Sequence, residues 1–305
     1  PAKAVAGYLM KTLPNRLFVS LVRGVEFFIR TISSRFYWKL MPRLAEELDL
    51  YYRDDVKTAG LIFYIPSEIA RTRAETLLTK EPDTIAWLDG FEQGEVFWDV
   101  GANIGLFSLW CCRNMSKCNV IAFEPIPQAA VVAQRNMRGN GFADRFEIRQ
   151  SGVAEEEGNA NFAYYKDAPG ESTRWYRENE WQQEKLKQAP RKESWVQVPL
   201  VTLKDAVPER IAWLKIDAEG DELNVLRGAG NLTRISQISA EVRDVDGRLK
   251  EFVALLEDNN FEVVSKKQSG GDCEGYRMTI PEELLLYYVY ARNRSAEPEE
   301  SDENM

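Results

Sequence analysis

The sequence predicts an α/β fold, a mostly parallel sheet covered by helices on both faces, preceded by a mostly helical extension. Three observations predict it. Apolar runs near residues 95–100, 119–123, 146–150, 212–217 and 237–242 alternate with stretches of helical character near 104–113, 127–138, 221–228 and 247–259. Such alternation builds parallel strands joined by crossover helices. Residues 97–105, Phe-Trp-Asp-Val-Gly-Ala-Asn-Ile-Gly, lead from the first strand through a glycine-containing turn directly into a helix. The chain has 305 residues, 44% of them hydrophobic, enough for one large domain with an appendage or for two domains.

The elements follow in order. Residues 1–48 read as helix: Phe18, Leu21, Val22, Val25, Phe28, Ile32, Phe36 and Leu40 recur at helical spacing, and Arg16, Arg23, Arg30, Arg35, Lys39 and Arg43 take other faces. Pro42 breaks the pattern. This basic, amphipathic stretch either packs on the rest of the chain or on a second copy in a homo-oligomer, or lies peripherally on an anionic membrane. Residues 60–66 suggest a short strand and 67–80 a helix, which completes an extension over 1–80. The α/β part spans 81–293 and closes with a strand pair near 261–266 and 284–292. Residues 166–198 interrupt it. They are polar but carry Trp175, Tyr176, Trp181 and Trp195, and read as a substrate lid, an oligomer contact or a plain long loop. Residues 294–305 form an acidic tail without apolar anchors, expected to be disordered.

The turn at 101–105 carries the main functional signal. A glycine βα turn lets a nucleotide-like ligand approach the backbone above a helix N-terminus. About twenty residues on, Val120-Ile121-Ala122-Phe123 ends in Glu124, placed to accept both ribose hydroxyls. The dinucleotide pattern G-x-G-x-x-G is absent, since the glycine after Gly101 is Gly105, and no P-loop occurs. Asp99-x-Gly101-x-Asn103-x-Gly105 followed by Glu124-Pro125 instead resembles the S-adenosylmethionine site of class I methyltransferases. Residues 214–223, Leu-Lys-Ile-Asp-Ala-Glu-Gly-Asp-Glu-Leu, with Val225-Leu226-Arg227-Gly228-Ala229, resemble the hallmark segment of the FkbM family. That family consists largely of O-methyltransferases acting on natural products and surface glycans, and the resemblance covers about residues 81–292. It implies a Rossmann-like, seven-stranded sheet whose last hairpin is antiparallel.

Composition narrows the alternatives. A net charge of −9 argues against nucleic acid as a partner. Cys111, Cys112, Cys118 and Cys273 have no C-x-x-C spacing and read as reduced residues of a cytoplasmic protein, membrane-associated if the basic helix meets lipid. No signal-peptide pattern and no apolar run of spanning length appear. The chain has no histidine, so any general base is a carboxylate, Lys, Tyr or Cys.

In an open α/β sheet ligands sit beyond the carboxyl ends of the strands. Asp99, Glu124, Ser151, Asp217 with Glu219, and Glu241 with Arg243 all fall there on this strand placement. Glu124 takes the ribose, Asp99, Gly101, Asn103 and Gly105 shape the methionine side, and Ser151 meets the adenine. Asp217, which also borders the cofactor, is the first candidate for base or substrate orienter. Glu219 serves instead, or only favours the next helix N-terminus. Glu241, at a position also acidic in the FkbM pattern, is the third catalytic candidate. Arg243 and Trp175 are assigned to a small-molecule or glycan acceptor. Asp217 and Glu241 could alternatively hold Mg2+, or the acids could simply pair with Lys215 and Arg243. The expected activity is S-adenosylmethionine-dependent O-methylation of a sugar or secondary-metabolite hydroxyl. N- or C-methylation and a non-catalytic cofactor-binding subunit are the alternatives.

Overall fold

The computed structural model describes residues 56–90, 96–164, 170, 174–176, 194–206, 211–244, 246–268 and 285–296, all within the compact unit Asp55–Met305. The basic helix expected over 1–48, Trp181, Cys273 and the tail from 297 lie outside the described residues, as does the side chain of Trp175.

A hairpin of β1 (Val56–Thr58) and β2 (Leu61–Phe63) comes first. Helix α1 (Glu68–Glu75) follows, its N-terminus capped by Ser67, whose hydroxyl accepts the Ala70 N–H at 3.1 Å. The helix expected over 67–80 stops here. Residues 76–80 form a turn in which the Thr79 and Lys80 N–H groups both donate to the Thr76 carbonyl. Pro82 then opens α2 (Pro82–Asp89), and a proline disfavours helical geometry in the residue before it.

The main sheet uses β3 (Val96–Val100), β4 (Asn119–Phe123), β5 (Phe146–Arg149), β10 (Ile211–Ile216), β11 (Ile235–Asp244), β12 (Phe261–Gln268) and β13 (Leu285–Asn293), in the order β12-β13-β11-β10-β3-β4-β5. Strands β5, β4, β3, β10 and β11 run parallel, and β13 is antiparallel to both its neighbours. This is the seven-stranded, mostly parallel sheet with a closing hairpin that the resemblance implies. Helices α3 (Leu106–Asn114), α4 (Pro127–Gly139), α6 (Glu222–Arg227) and α7 (Arg248–Asp258) lie between the strands.

Side chains alternate across a strand, and the two faces of this sheet differ. On one face Trp98, Val100, Leu214, Ile216, Ile238, Ala240 and Val242 pack with Val225, Leu226, Leu249, Phe252 and Leu256 of α6 and α7. Each large side chain so buried contributes about 1.5–3 kcal/mol. On the other face Phe97, Val120 and Trp213 pack with Ile85, Leu88, Leu109, Cys111 and Cys112 of α2 and α3. The Trp87 ring lies 4.7 Å from that of Trp213 and its Nε1 donates to Gln237 at 3.0 Å. Towards the carboxyl ends this second face turns polar: Asp99, Lys215 and Ser239 are all buried.

A second sheet interrupts the alternation. Strands β6 (Gly152–Val153), β7 (Gly158–Tyr164), β8 (Arg174–Tyr176) and β9 (Ser194–Val201) associate as β6-β9-β7-β8, and the short helix α5 (Leu203–Ala206) follows. The insertion expected over 166–198 therefore needs correcting: 174–176 and 194–198 are strand, each hydrogen-bonded to β7. Strands β7 and β9 bury Ala160, Phe162, Val198 and Leu200 together, with exposed Asn161, Gln197 and Pro199 between them, so their patterns are interrupted and escape a search for apolar runs. Strand β11 also exceeds the expected 237–242, because β13 continues to pair with it as far as Asp244. No helix among the described residues is long and apolar enough to cross a membrane.

Candidate active site

Parallel register brings the ends of β3, β4 and β10 together, Val100 pairing with Phe123 on one side and Ile216 on the other. The turn after β3 is held from both strands. The N–H groups of Gly101 and Ala102 donate to the Phe123 carbonyl at 2.9 and 3.1 Å, and the Asp217 N–H donates to the Val100 carbonyl at 3.0 Å. Gly101 has φ +79°, and a Cβ there would lie 1.9 Å from the carbonyl oxygen of Asp217. Gly105, at φ +81°, begins α3, and its missing side chain lets Ala133 of α4 approach.

Glu124 is buried, and its two oxygens accept the N–H groups of Asn103 and Ile126, each at 2.8 Å. Burial pushes its carboxyl up to about 7, although the two N–H groups work against the shift. Each carboxylate oxygen has a second lone pair, so Glu124 retains capacity for two further hydroxyl donors.

Glu124, Gly101, Asn103, Ser151, Phe162 and Asp217 line a solvent-connected cleft of about 660 Å³. Within it Asn103 Oδ1 and Ser151 Oγ are buried and have no hydrogen-bond partner among the described residues. Leaving such atoms unpaired costs about 1–3 kcal/mol each, which a polar ligand in the cleft would relieve. A carboxylate for a diol, unpaired polar atoms beside it and the Phe123, Phe162 and Leu200 side chains fit a nucleoside-bearing cofactor. Asp99 and Gly105, expected to shape the methionine side, do not themselves line this cleft. Asp99 is fully buried and accepts the Ser108 hydroxyl at 2.6 Å. Burial raises its carboxyl above the usual range against the pull of Lys215.

The acids gather around one lysine. Lys215 is 4% exposed, lies 3.4 Å from Asp217 Oδ2, and sits 4.9 Å from the Phe107 ring centroid. Burial works against its charge, but Asp217, Asp99, Glu81 and Glu241 outweigh that and hold its pKa above the ordinary value. Asp217 is the counterpart. Burial disfavours its ionised form, yet Lys215, Lys80 and Arg73 keep the carboxyl below the ordinary range. Glu241 stands next to Asp217 across β10 and β11, one residue past the Ile216–Ala240 pair. Burial, then Asp217 and Glu81, push it up to about 8. It lies within β11 rather than at its end.

Glu219, at φ +53°, accepts a hydrogen bond from Arg243, so these two expected site residues bind each other. Glu222, the first residue of α6, reaches back to the turn before the helix, its Oε1 accepting the Ala218 and Gly220 N–H groups at 3.2 and 2.8 Å. Strand β8 carries Trp175 opposite Phe162 of β7. Among the described residues no group of three or more Asp, Glu, Cys or His is placed to hold a metal. The charges that Asp217 faces are those of Lys215 first, then Lys80 and Arg73. Cys111, Cys112 and Cys118 are buried free thiols.

Several wall residues were not expected. Arg73 of α1 lines the cleft and donates to the Gly170 carbonyl at 2.5 Å. Phe162 and Leu200 come from the second sheet. Lys215, expected as a partner of the acids, does pair with Asp217.

A family model described as the methyltransferase FkbM domain matches residues 99–263. A 31-O-demethyl-FK506 methyltransferase, FkbM, of Streptomyces tacrolimicus is 34% identical over 198 residues, covering 57% of this chain and 75% of that protein. Methyltransferase sdnD of Sordaria araneosa is 31% identical over 188 residues, 54% of this chain and 73% of its own. Methyltransferase 1 of Beauveria bassiana strain ARSEF 2860 is 28% identical over 208 residues, 64% and 79%. With the matched residues spanning β3 to β12 and containing Glu124, Ser151, Asp217 and Glu241, the chain belongs to the FkbM family of methyltransferases.

Proposed function

We propose that the chain is an S-adenosylmethionine-dependent O-methyltransferase whose acceptor is a hydroxyl of a sugar, a glycan precursor or a secondary metabolite. The observation that carries this reading is the cleft itself, in which buried Glu124 faces unpaired Asn103 Oδ1 and Ser151 Oγ. The oxygen specificity draws support from the relative that by its name methylates 31-O-demethyl-FK506. S-adenosylmethionine, when bound, supplies a methyl group on a sulfonium centre.

The chain's own residues do the rest. Glu124 accepts the ribose hydroxyls and thereby fixes the ligand along the cleft. Phe123, Phe162 and Leu200 exclude water from the base. Asp217, ionised beside Lys215, accepts a hydrogen bond from the acceptor hydroxyl and orients its oxygen. Glu241, pushed up to about 8, takes up the hydroxyl proton above neutral pH, where its carboxyl is ionised. Lys215 keeps these acids from expelling one another.

Calorimetry with S-adenosylhomocysteine tests the cofactor assignment. Glu124→Ala, which removes an acceptor for two hydroxyls, is expected to weaken binding by about 1.5–3 kcal/mol per lost hydrogen bond. Affinity unchanged in that variant rejects the assignment.

A further inference from the structure

Two thiols meet where α3 returns to the sheet. Cys111 lies in α3, and Cys118 immediately precedes β4. Both are 0% exposed, and their Sγ atoms are 2.9 Å apart. Bonded sulfurs stand about 2.05 Å apart, so a shift of less than about 1 Å would join this pair. The backbone holds the two cysteines in place. The Met115 N–H donates to the Cys111 carbonyl at 3.0 Å, and the Cys118 N–H donates to the Met115 carbonyl at 3.2 Å. The Arg145 guanidinium braces the same turn, donating to the Met115 and Cys112 carbonyls, each at 2.6 Å. Consecutive residues of a helix point about 100° apart, and of the two neighbours it is Cys111 that meets the Cys118 sulfur.

This pair has no part in the cleft. Cys118 stands at the amino end of β4, whereas Glu124 follows the carboxyl end of that strand. Burial pushes the Cys111 thiol well above its ordinary value, and the hydrogen bond with Cys118 adds to the rise. A thiolate, the nucleophilic form, therefore arises when the turn opens rather than in the closed core. The turn is suited to opening: Arg113, Asn114, Ser116 and Lys117 are all exposed, and exposed turns are where local opening concentrates.

We propose that Cys111 and Cys118 are a reversible thiol–disulfide pair, oxidised by low-molecular-weight disulfides of the glutathione class. The Cys118 thiolate attacks one sulfur of the small disulfide and expels one small thiolate, which takes up the proton that Cys118 lost. Cys111, deprotonated in turn, attacks the Cys118 sulfur of the mixed disulfide and expels the second small thiol. Two thiols of the chain are oxidised, one small disulfide is reduced to two thiols, and no further reactant is consumed. The native fold favours the bonded form because it already holds the sulfurs together, which the unfolded chain reaches only at a cost in loop-closure entropy.

Redox titration of the full chain carrying Cys112→Ser and Cys273→Ser tests this, since those changes leave only the proposed pair. The chain is equilibrated from both the reduced and the oxidised side in mixtures of reduced and oxidised glutathione, with and without denaturing urea, then alkylated and weighed by mass spectrometry. The intramolecular bond is expected to form in the folded chain with an oxidation constant at least about tenfold larger than in urea. Trypsin, cutting after Arg113 and Lys117, should then leave the Cys111 and Cys118 peptides joined. The same tryptic map of the otherwise unaltered chain carries the comparison should the double variant not fold, with Cys111→Ser expected to abolish the joined peptides. A constant in the folded chain equal to or below that in urea overturns the proposal. So does a bond that links two chains, or joined peptides that persist in Cys111→Ser through Cys112.

Discussion

The Cα of Gly101 rests against the backbone of Asp217, so closely that a Cβ would come within 1.9 Å of the Asp217 carbonyl oxygen. The two residues follow adjacent parallel strands, and the Asp217 N–H bonds back to Val100. The glycine that shapes the turn after β3 therefore also sets where the motif aspartate stands. Its positive φ and the contact both exclude a side chain.

This makes Gly101→Ala a stability variant as well as a binding one. Left-handed backbone costs a non-glycine residue about 1–2 kcal/mol, and overpacking adds about 1–3 kcal/mol. Urea denaturation should show a loss of about 2–5 kcal/mol, accompanied by weaker S-adenosylhomocysteine binding as Asp217 is displaced. Wild-type stability in that variant would contradict the contact.

Glu124 should reveal itself through protons. Its carboxyl titrates near 7 in the free protein, and hydroxyl donors from a ribose favour the ionised form. Binding of S-adenosylhomocysteine near pH 6.5 should therefore release up to one proton per site. Calorimetry in buffers of different ionisation enthalpy measures this. Glu124→Gln should remove the release, and a release that persists in the variant assigns the proton to another group.

Glu222 gives a pH dependence of stability with a definite sign. Burial raises its carboxyl from 4.5 to about 7 in the folded chain. Between those values the native state holds a proton that the unfolded state has lost, so stability falls as pH rises through this window. The loss attributable to this group is about 3 kcal/mol. Glu222→Gln keeps an oxygen for the Ala218 and Gly220 N–H groups and should flatten the stability profile from pH 4.5 to 7. An unchanged slope would show that Glu222 stays ionised there.

Among the described residues, Lys215 is the buried cation that stands among Asp99, Asp217, Glu81 and Glu241. Lys215→Met should cost about 3–5 kcal/mol at pH 8, the range for removing one partner from a buried charge set. The penalty should shrink towards pH 5, because the unneutralised acids then take up protons. A penalty independent of pH would mean that Lys215 contributes packing alone.

Turnover separates the two acids. Asp217→Asn should bind S-adenosylhomocysteine within a few-fold of wild type while methyl transfer to the acceptor falls about 10²–10⁴-fold. Glu241→Gln should lose rate chiefly above neutral pH, where the wild-type carboxyl becomes ionised and able to accept the proton. Full turnover in both variants would reduce catalysis to proximity.

Much of the parallel sheet was legible because its central strands are buried on both faces: Phe97-Trp98 and Leu214-Lys215-Ile216 read as strand with no knowledge of their neighbours. Glu124, Gly101, Asn103 and Ser151 were legible as residues of one cleft because all fall within three residues of a strand end. Strands β7 and β9 were not, since exposed Asn159, Asn161, Gln197 and Pro199 interrupt their buried residues and mask the pattern. Arg73, Lys80 and Glu81 were not either, since nothing in an ordinary helix and turn announces that it will lie over Asp217.

The sequence by itself determined which residues end the parallel strands and hence which acids and glycines meet at one edge, because period and hydrophobicity are local properties of the chain. Tertiary structure alone decided how those residues share the work. Asp99 withdraws behind the turn to Ser108, Glu219 turns to Arg243, and Lys215 settles among four carboxylates. Those outcomes depend on distances between strands and on burial, and both arise only when segments far apart in sequence exclude water from the same volume.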